Sequence, residues 1–388
     1  MPAAPMAAET RAWRDPKRHA WLLGLLIPTL PFIAWALVHA TGMGVFWFYG
    51  PILVFGIFPP LDLLLGMDRR NPPDEVIKWL EQDRYYRWCT YAYLPIQYAG
   101  LVFACWLWAY GHLSTLDSFG LALTVAMVSG IAINTAHELG HKRASIERLL
   151  SKVALAQSGY GHFFIEHNRG HHVRVATPED PASARLGESF YAFLPRTVLG
   201  SLRSAWQLER VRLERLHKAP WTPRNDILQA WAMTAVLYAA LIAGFGVVVA
   251  PYLLIQSVLG FSLLEVVNYL EHYGLLRQKV EDGRYERTRA EHSWNSNSVA
   301  SNVLLYHLQR HSDHHANPIR RYQALRHVDD APQLPTGYAG MIVLAVVPPL
   351  WRRVMDERVL AHYHGESTRA NLKPRLRRRQ RERYRVAT

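Results

Sequence analysis

WLLGLLIPTLPFIAWALVHA, residues 21–40, contains no Asp, Glu, Lys or Arg. At about 1.5 Å of rise per residue it is long enough to cross a hydrocarbon core as a helix. Five more blocks of similar length follow: VFWFYGPILVFGIFPPLDLLL (45–65), then 91–110, 118–136, 228–248 and 249–270. Gly244, Gly246 and Pro251 blur the boundary between the last two. Half of the 388 residues are hydrophobic, and the length suits one large domain or two small ones.

Apolar blocks also arise in soluble cores, but the charge pattern argues for a membrane. The gaps at 40–44, 111–117 and 243–251 carry no Lys or Arg, whereas Arg11, Arg14, Lys17 and Arg18 precede the first block and Arg69, Arg70, Lys78, Arg84 and Arg87 follow the second. Such alternation places both termini and the polar segments 137–227 and 271–388 on the cytoplasmic side. Trp21, Tyr91, Trp106, Trp108 and Tyr110 sit where interfacial aromatic belts form. The expected fold is therefore all-α: an integral membrane bundle of six transmembrane helices with a cytoplasmic helical cap. Its divisions are an N-terminal segment 1–20, a membrane domain 21–350 and a basic tail 351–388.

The net charge of +13 and the run RLRRRQRERYR (375–385) raise the possibility of nucleic acid. No nucleic-acid motif accompanies them, and basic residues beside spans fix topology and meet anionic headgroups. The leading apolar run is too long for the core of a cleaved signal. With only Cys89 and Cys105, neither a cysteine zinc site nor an iron–sulfur centre can be built within the chain.

Several of the 19 histidines are clustered, and every cluster lies in a segment assigned to the cytoplasm. NTAHELGHK (134–142) places His137 and His141 at i and i+4 on one helix face. EHNRGHH (166–172) adds His167, His171 and His172. LQRHSDHHANP (308–318) adds His311, His314 and His315, and VNYLEHYGL (267–275) adds His272 at the end of the sixth block. HELGH also fits the zinc-protease pattern with Glu138 as base, but that reading leaves the other histidines idle. Nine imidazoles would fill the shells of two metal ions with four or five nitrogens each, and neutral imidazole suits Fe, Zn, Cu and Ni. His19, His39, His112, His217, His327, His362 and His364 are read as solvated, and His162, His292 and His307 as neighbours of the clusters. Ligand imidazoles usually donate their other N–H to an acceptor. Glu138, Glu166, Glu271, Asp313, Asn134 and Asn268 are the candidates for that supporting role, with Glu179 and Asp180 slightly further on.

HELGHK, EHNRGHH and LQRHSDHH resemble the three histidine boxes of the membrane di-iron family, which includes fatty acyl desaturases, lipid hydroxylases and hydrocarbon monooxygenases. NYLEHYGL, HHVRVATPEDPASAR and HSWNSN (292–297) are similar to its alkane 1-monooxygenase branch. The resemblance covers residues 20–350. It implies His137, His141, His167, His171, His172, His272, His311, His314 and His315 as ligands of two Fe ions. It also implies O₂-dependent hydroxylation of the terminal carbon of medium-chain n-alkanes. Electrons would come from rubredoxin and its NADH-dependent reductase, at a bacterial inner membrane with the active site cytoplasmic. An alkane partitions into lipid, so a pocket between the fourth and sixth spans is expected, walled by Leu263, Leu264 and Val267. The alternatives are an acyl desaturase or hydroxylase with the same site, and a histidine-rich metal transporter. The latter would place ionisable residues along the spans, where only exceptions such as Asp62 and Glu265 occur.

Overall fold

The computed structural model describes residues 13–374 and 376. Arg11 and nearly all of the basic run at 375–385 lie outside them. The described residues are helical, joined by loops with four isolated bridges and no strand. Five helices are long and apolar enough to cross a membrane: Gly44–Leu65, Arg84–Tyr110, Thr115–Gly140, Asp226–Phe245 and Val247–His272. They are the second to sixth spans below.

The block at 21–40 differs from a single span. It forms Ala20–Leu26 and Leu30–Thr41, bent by 69°. Pro28 and Pro31 fall at the break, where each removes a backbone donor and its ring obstructs a continuous helix. Tertiary contacts hold the short arm: Trp21 is fully buried, its ring centroid 4.7 Å from His307 and 5.1 Å from Tyr322. The blurred boundary near residue 246 resolves at Gly246, whose φ of +84° ends one helix and starts the next without the penalty a side chain would incur.

The fourth span is the most enclosed, 72% buried over its apolar window, against 17% for the fifth. It packs on the sixth span through small residues. A Cβ on Gly130 would lie 2.7 Å from the Gly260 carbonyl oxygen, and one on Gly260 2.5 Å from Ser129 Oγ. Only glycines permit so close a crossing, the usual basis of tight helix contacts in lipid. On the outside of the bundle, Val236, Leu254, Leu63 and Leu64 are all more than 60% exposed, as suits faces solvated by acyl chains.

The cap is built from Ser145–Ala156, Phe190–Arg215, His311–Ala316, Tyr338–Ala345 and Pro348–His362. It joins the spans through buried polar contacts. Glu265 of the sixth span accepts from Tyr160 Oη at 2.7 Å, Thr197 Oγ1 at 2.8 Å and Asn268 Nδ2 at 3.2 Å. Asp62 accepts from Ser301 N at 2.9 Å and Ser301 Oγ at 2.5 Å. Asp62 and Glu265 are thus committed to hydrogen bonds. The helix Pro348–His362 runs across the expected division at residue 350, with Trp351 fully buried against Tyr269 and Tyr273.

Candidate metal centre

Four pieces of chain converge at the junction of bundle and cap. The last turn of the fourth span carries His137, and His141 is its C-cap. The sixth span ends in His272. His167 and His171 lie on a π-helical turn, Glu166–His171, and His172 follows it. The wider turn changes the angular spacing of the two histidines, and such insertions recur at functional sites. His311, His314 and His315 occupy the short helix His311–Ala316. Ahead of it, Tyr306 and His307 adopt φ of +50° and +54°. That conformation is costly for side-chain-bearing residues and here turns the chain between two short helices. Arg310, almost fully buried, clamps this turn by donating to the carbonyls of Asp68, Arg70 and Leu325.

The nine histidines sort into two sets. His137, His141, His167, His172 and His314 form one, and His171, His272, His311 and His315 the other; within each, the ligand atoms lie within 4.8 Å of one another. The Nε2 atoms point inward: His137 to His314 is 2.8 Å, His172 to His167 and to His314 3.1 Å, His272 to His311 3.1 Å and His315 to His311 2.9 Å. Neutral imidazoles cannot all donate to one another, so converging lone pairs at this spacing repel unless a cation lies between them. Nitrogens about 2.1 Å from a metal and at right angles are about 3.0 Å apart, which matches. His141 Nε2 and His171 Nε2 are buried with no protein partner, as atoms reserved for a metal would be. Burial and neighbouring imidazoles hold His141, His167, His172, His311, His314 and His315 well below the usual histidine range. They are neutral, the form that binds metal.

The supporting contacts match the sequence expectation only in part, at Asp180 and, less well aligned, at Glu271. Asp180 Oδ2 accepts from His171 Nδ1 at 2.9 Å, and the carbonyl of His292 accepts from His272 Nδ1 at 3.1 Å. Glu271 Oε1 lies 3.3 Å from His311 Nδ1, off the line of a good hydrogen bond, and also accepts from Tyr338 Oη at 3.0 Å. The other five candidates are engaged elsewhere. Glu138 pairs with Lys142 at 3.0 Å, and Lys142 donates to the carbonyls of Ile319 and Arg320, tying the end of the fourth span to the loop after His315. A carboxylate so committed is not placed as a protease base. Glu166 pairs with Arg174 and Asp313 with Arg320. Asn134 donates to the Leu305 carbonyl and Asn268 to Glu265. Nothing in the sequence around Asp180 marks it apart from its neighbours; its role arises from the turn that brings it back onto His171.

Glu286, Glu291 and His292 also bring three donor atoms together. His292 Nδ1, however, accepts from the Arg289 backbone N–H at 2.9 Å. The neutral ring then carries its proton on Nε2, facing the carboxylates, and offers no lone pair there. This set is a hydrogen-bonded cluster.

An apolar slot lies among the second, fourth and sixth spans and the segments that cover them. Its void is about 510 Å³ including the mouth, but only about 40 Å³ is wide enough for the centre of a water molecule. Leu263, Leu264 and Val267 are on its wall, with Gly130, Ile131 and Leu308 opposite or beside them. Asn134 lines it one turn before His137, and Leu308 lies three residues before His311.

Residues 114–345 match the fatty acid desaturase family. Over the whole chain the similarity is more specific. Alkane 1-monooxygenase 1 of Alcanivorax borkumensis is 47% identical, over 95% of this chain and 92% of that protein. The chain belongs to the alkane 1-monooxygenase family. Alkane 1-monooxygenase of Acinetobacter baylyi is also 47% identical, over 96% of this chain and 92% of its own length. The xylene/toluene monooxygenase hydroxylase component of Pseudomonas putida is 27% identical over 61% of this chain. This family member is thus an oxidoreductase, a multi-pass membrane protein and the holder of a histidine-rich metal centre.

Proposed function

We propose that the enzyme is a di-iron monooxygenase of a bacterial inner membrane, oxidising the terminal carbon of medium-chain n-alkanes to 1-alkanols. The balance is RH + O₂ + 2e⁻ + 2H⁺ → ROH + H₂O, with rubredoxin, recharged by its NADH-dependent reductase, as the electron source. The observation that carries this reading is a juxtaposition: a narrow apolar slot among the spans has Asn134 on its wall, one helical turn from His137 and the nine grouped imidazoles. In the alternatives of an acyl desaturase or hydroxylase, a polar headgroup would accompany the chain; the names of the relatives favour the alkane.

The five histidines around His137 and the four around His171 would each hold one iron. Irons so held would supply the two-electron activation of O₂ that an unactivated C–H bond requires. The chain supplies the rest. His171 and His272 keep their protons on Nδ1, donated to Asp180 and to the His292 carbonyl, so that Nε2 is free. Leu263, Leu264 and Val267 hold the hydrocarbon extended and keep water out, presenting its end methyl to the site. The slot lies between membrane spans, so substrate reaches it from the bilayer, while both termini and the imidazoles face the cytoplasm, where a soluble electron carrier docks. Residues 21–350 are the catalytic unit on this reading.

The deciding experiment supplies iron-loaded enzyme with n-octane, ¹⁸O₂, NADH, rubredoxin and its reductase, followed by mass spectrometry of the organic phase. Labelled 1-octanol is expected. Iron-bound enzyme that oxidises rubredoxin yet yields no octanol would move the assignment to acyl-chain chemistry.

A further inference from the structure

An alkane has no polar handle, but its oxidised product does. Thirteen residues line the slot, and only Asn134 and Ser301 carry polar side chains. Ser301 Oγ gives its proton to Asp62, and the residue has no exposed surface, so its oxygen is closed off from a ligand in the slot. Asn134 is half spent: its amide faces the Leu305 carbonyl at 2.7 Å. A carbonyl only accepts, so the group facing it is Nδ2, and Oδ1 is the opposite arm. Among the described residues Oδ1 accepts from no protein donor, and it is not among the fully enclosed unpartnered atoms. The slot therefore holds one free acceptor, about 4.5 Å along the helix axis from His137.

We propose that Asn134 Oδ1 accepts the hydroxyl of a terminally oxygenated chain, making the slot a 1-alkanol site as well as an alkane site. This rests on the alkane reading above and adds a ligand class to it. A free acceptor in an apolar wall adds nothing to the binding of a hydrocarbon. It discriminates strongly once a matching O–H arrives, because the alternative is a polar atom facing methylenes. Asn134 acts here as a positioning residue for product. Bound alkanol would compete with the next alkane, and its release would contribute to the turnover rate.

The test uses the iron-loaded full chain in phosphatidylcholine nanodiscs, anaerobic and without electron donor, so that binding is read apart from turnover. Unlabelled 1-decanol, 1-methoxydecane and n-decane compete against ¹⁴C-n-decane, each corrected for its partition into empty discs. In the unmodified enzyme, 1-decanol should bind about tenfold better than 1-methoxydecane, which cannot donate; tenfold corresponds to about 1.4 kcal/mol. In Asn134→Val the preference for 1-decanol over n-decane should fall about tenfold. Equal binding of alcohol and ether by the unmodified enzyme would overturn the proposal without any variant. So would an Asn134→Val change that weakens decane and decanol by the same factor, which is what a purely structural contact with Leu305 predicts. An unmodified enzyme that binds neither chain would overturn the alkane reading, and this inference with it.

Discussion

The two histidine sets are made of the same side chain and sit side by side, yet they are built differently. In the set of four, every histidine is buried, and three rings face a protein acceptor from behind: Asp180, the His292 carbonyl and, less well aligned, Glu271. In the set of five, His141 and His172 are only partly buried, and among the described residues no ring has a protein acceptor on its second nitrogen. The set of four is held by its surroundings, whereas the set of five relies on number and on the helices that deliver it. If each holds a metal, the first should be rigid and slow to exchange, the second more open to solvent and to a changing shell.

The largest effect should come from removing a ligand. His171→Ala should cost the four-histidine metal, and His141→Ala the five-histidine metal, each abolishing turnover. Metal analysis should show one ion retained per chain in each case; loss of both ions from either variant would mean the sets are one cooperative unit and break the comparison.

A supporting residue should matter next. Asp180→Ala should weaken the four-histidine metal about 10–100-fold and leave the other within a factor of a few, read by chelator titration. In the unmodified enzyme the five-histidine metal should leave first.

Acid should act on both. Imidazoles held below the ordinary value of 6.5 by burial bind fewer protons folded than unfolded. Their contribution is therefore present above about pH 6.5 and is lost as pH falls below it. Protons also compete with metal for the same nitrogens. Dialysis at pH 5.5 should strip metal that survives pH 7.5, and the more exposed five-histidine set should empty at the higher pH. A metal content flat between these values would refute the neutral-shell reading.

The smallest effect should be that of Glu271→Gln. Its contact with His311 is long and skewed, so its loss should cost less than that of Asp180, under about tenfold by the same titration. A larger loss would promote Glu271 to an equal partner and narrow the difference between the sets.

The histidines were legible because ligand spacing is local: i, i+3 and i+4 positions share a helix face whatever the rest of the chain does. The supporting partners were only partly so: Asp180 and Glu271 were among the carboxylates near the clusters and do stand behind His171 and His311, but they could not be told from the rest. Glu138, Glu166 and Asp313 stand beside histidines in sequence, yet each faces a cation, Lys142, Arg174 or Arg320, brought in by the fold. Side chains adjacent in a helix point apart, so sequence neighbourhood predicts shared location but not shared contact.

The sequence alone pointed to lipid as the solvent and to nine histidines as candidate ligands. Apolar blocks of about 20 residues demand lipid or a large core, basic gaps give an expected sidedness, and nine imidazoles imply a metal centre. Only the tertiary structure decided that the leading block bends by 69°, that the nine nitrogens divide five and four, and that Asp180 stands behind His171. It also decided that Gly130 and Gly260 bring two spans into close contact beside an apolar slot with Asn134 on its wall. Hydrophobicity and helical period are properties of a segment and can be read along it. Which lone pairs meet depends on how separate segments pack, and no single segment encodes that.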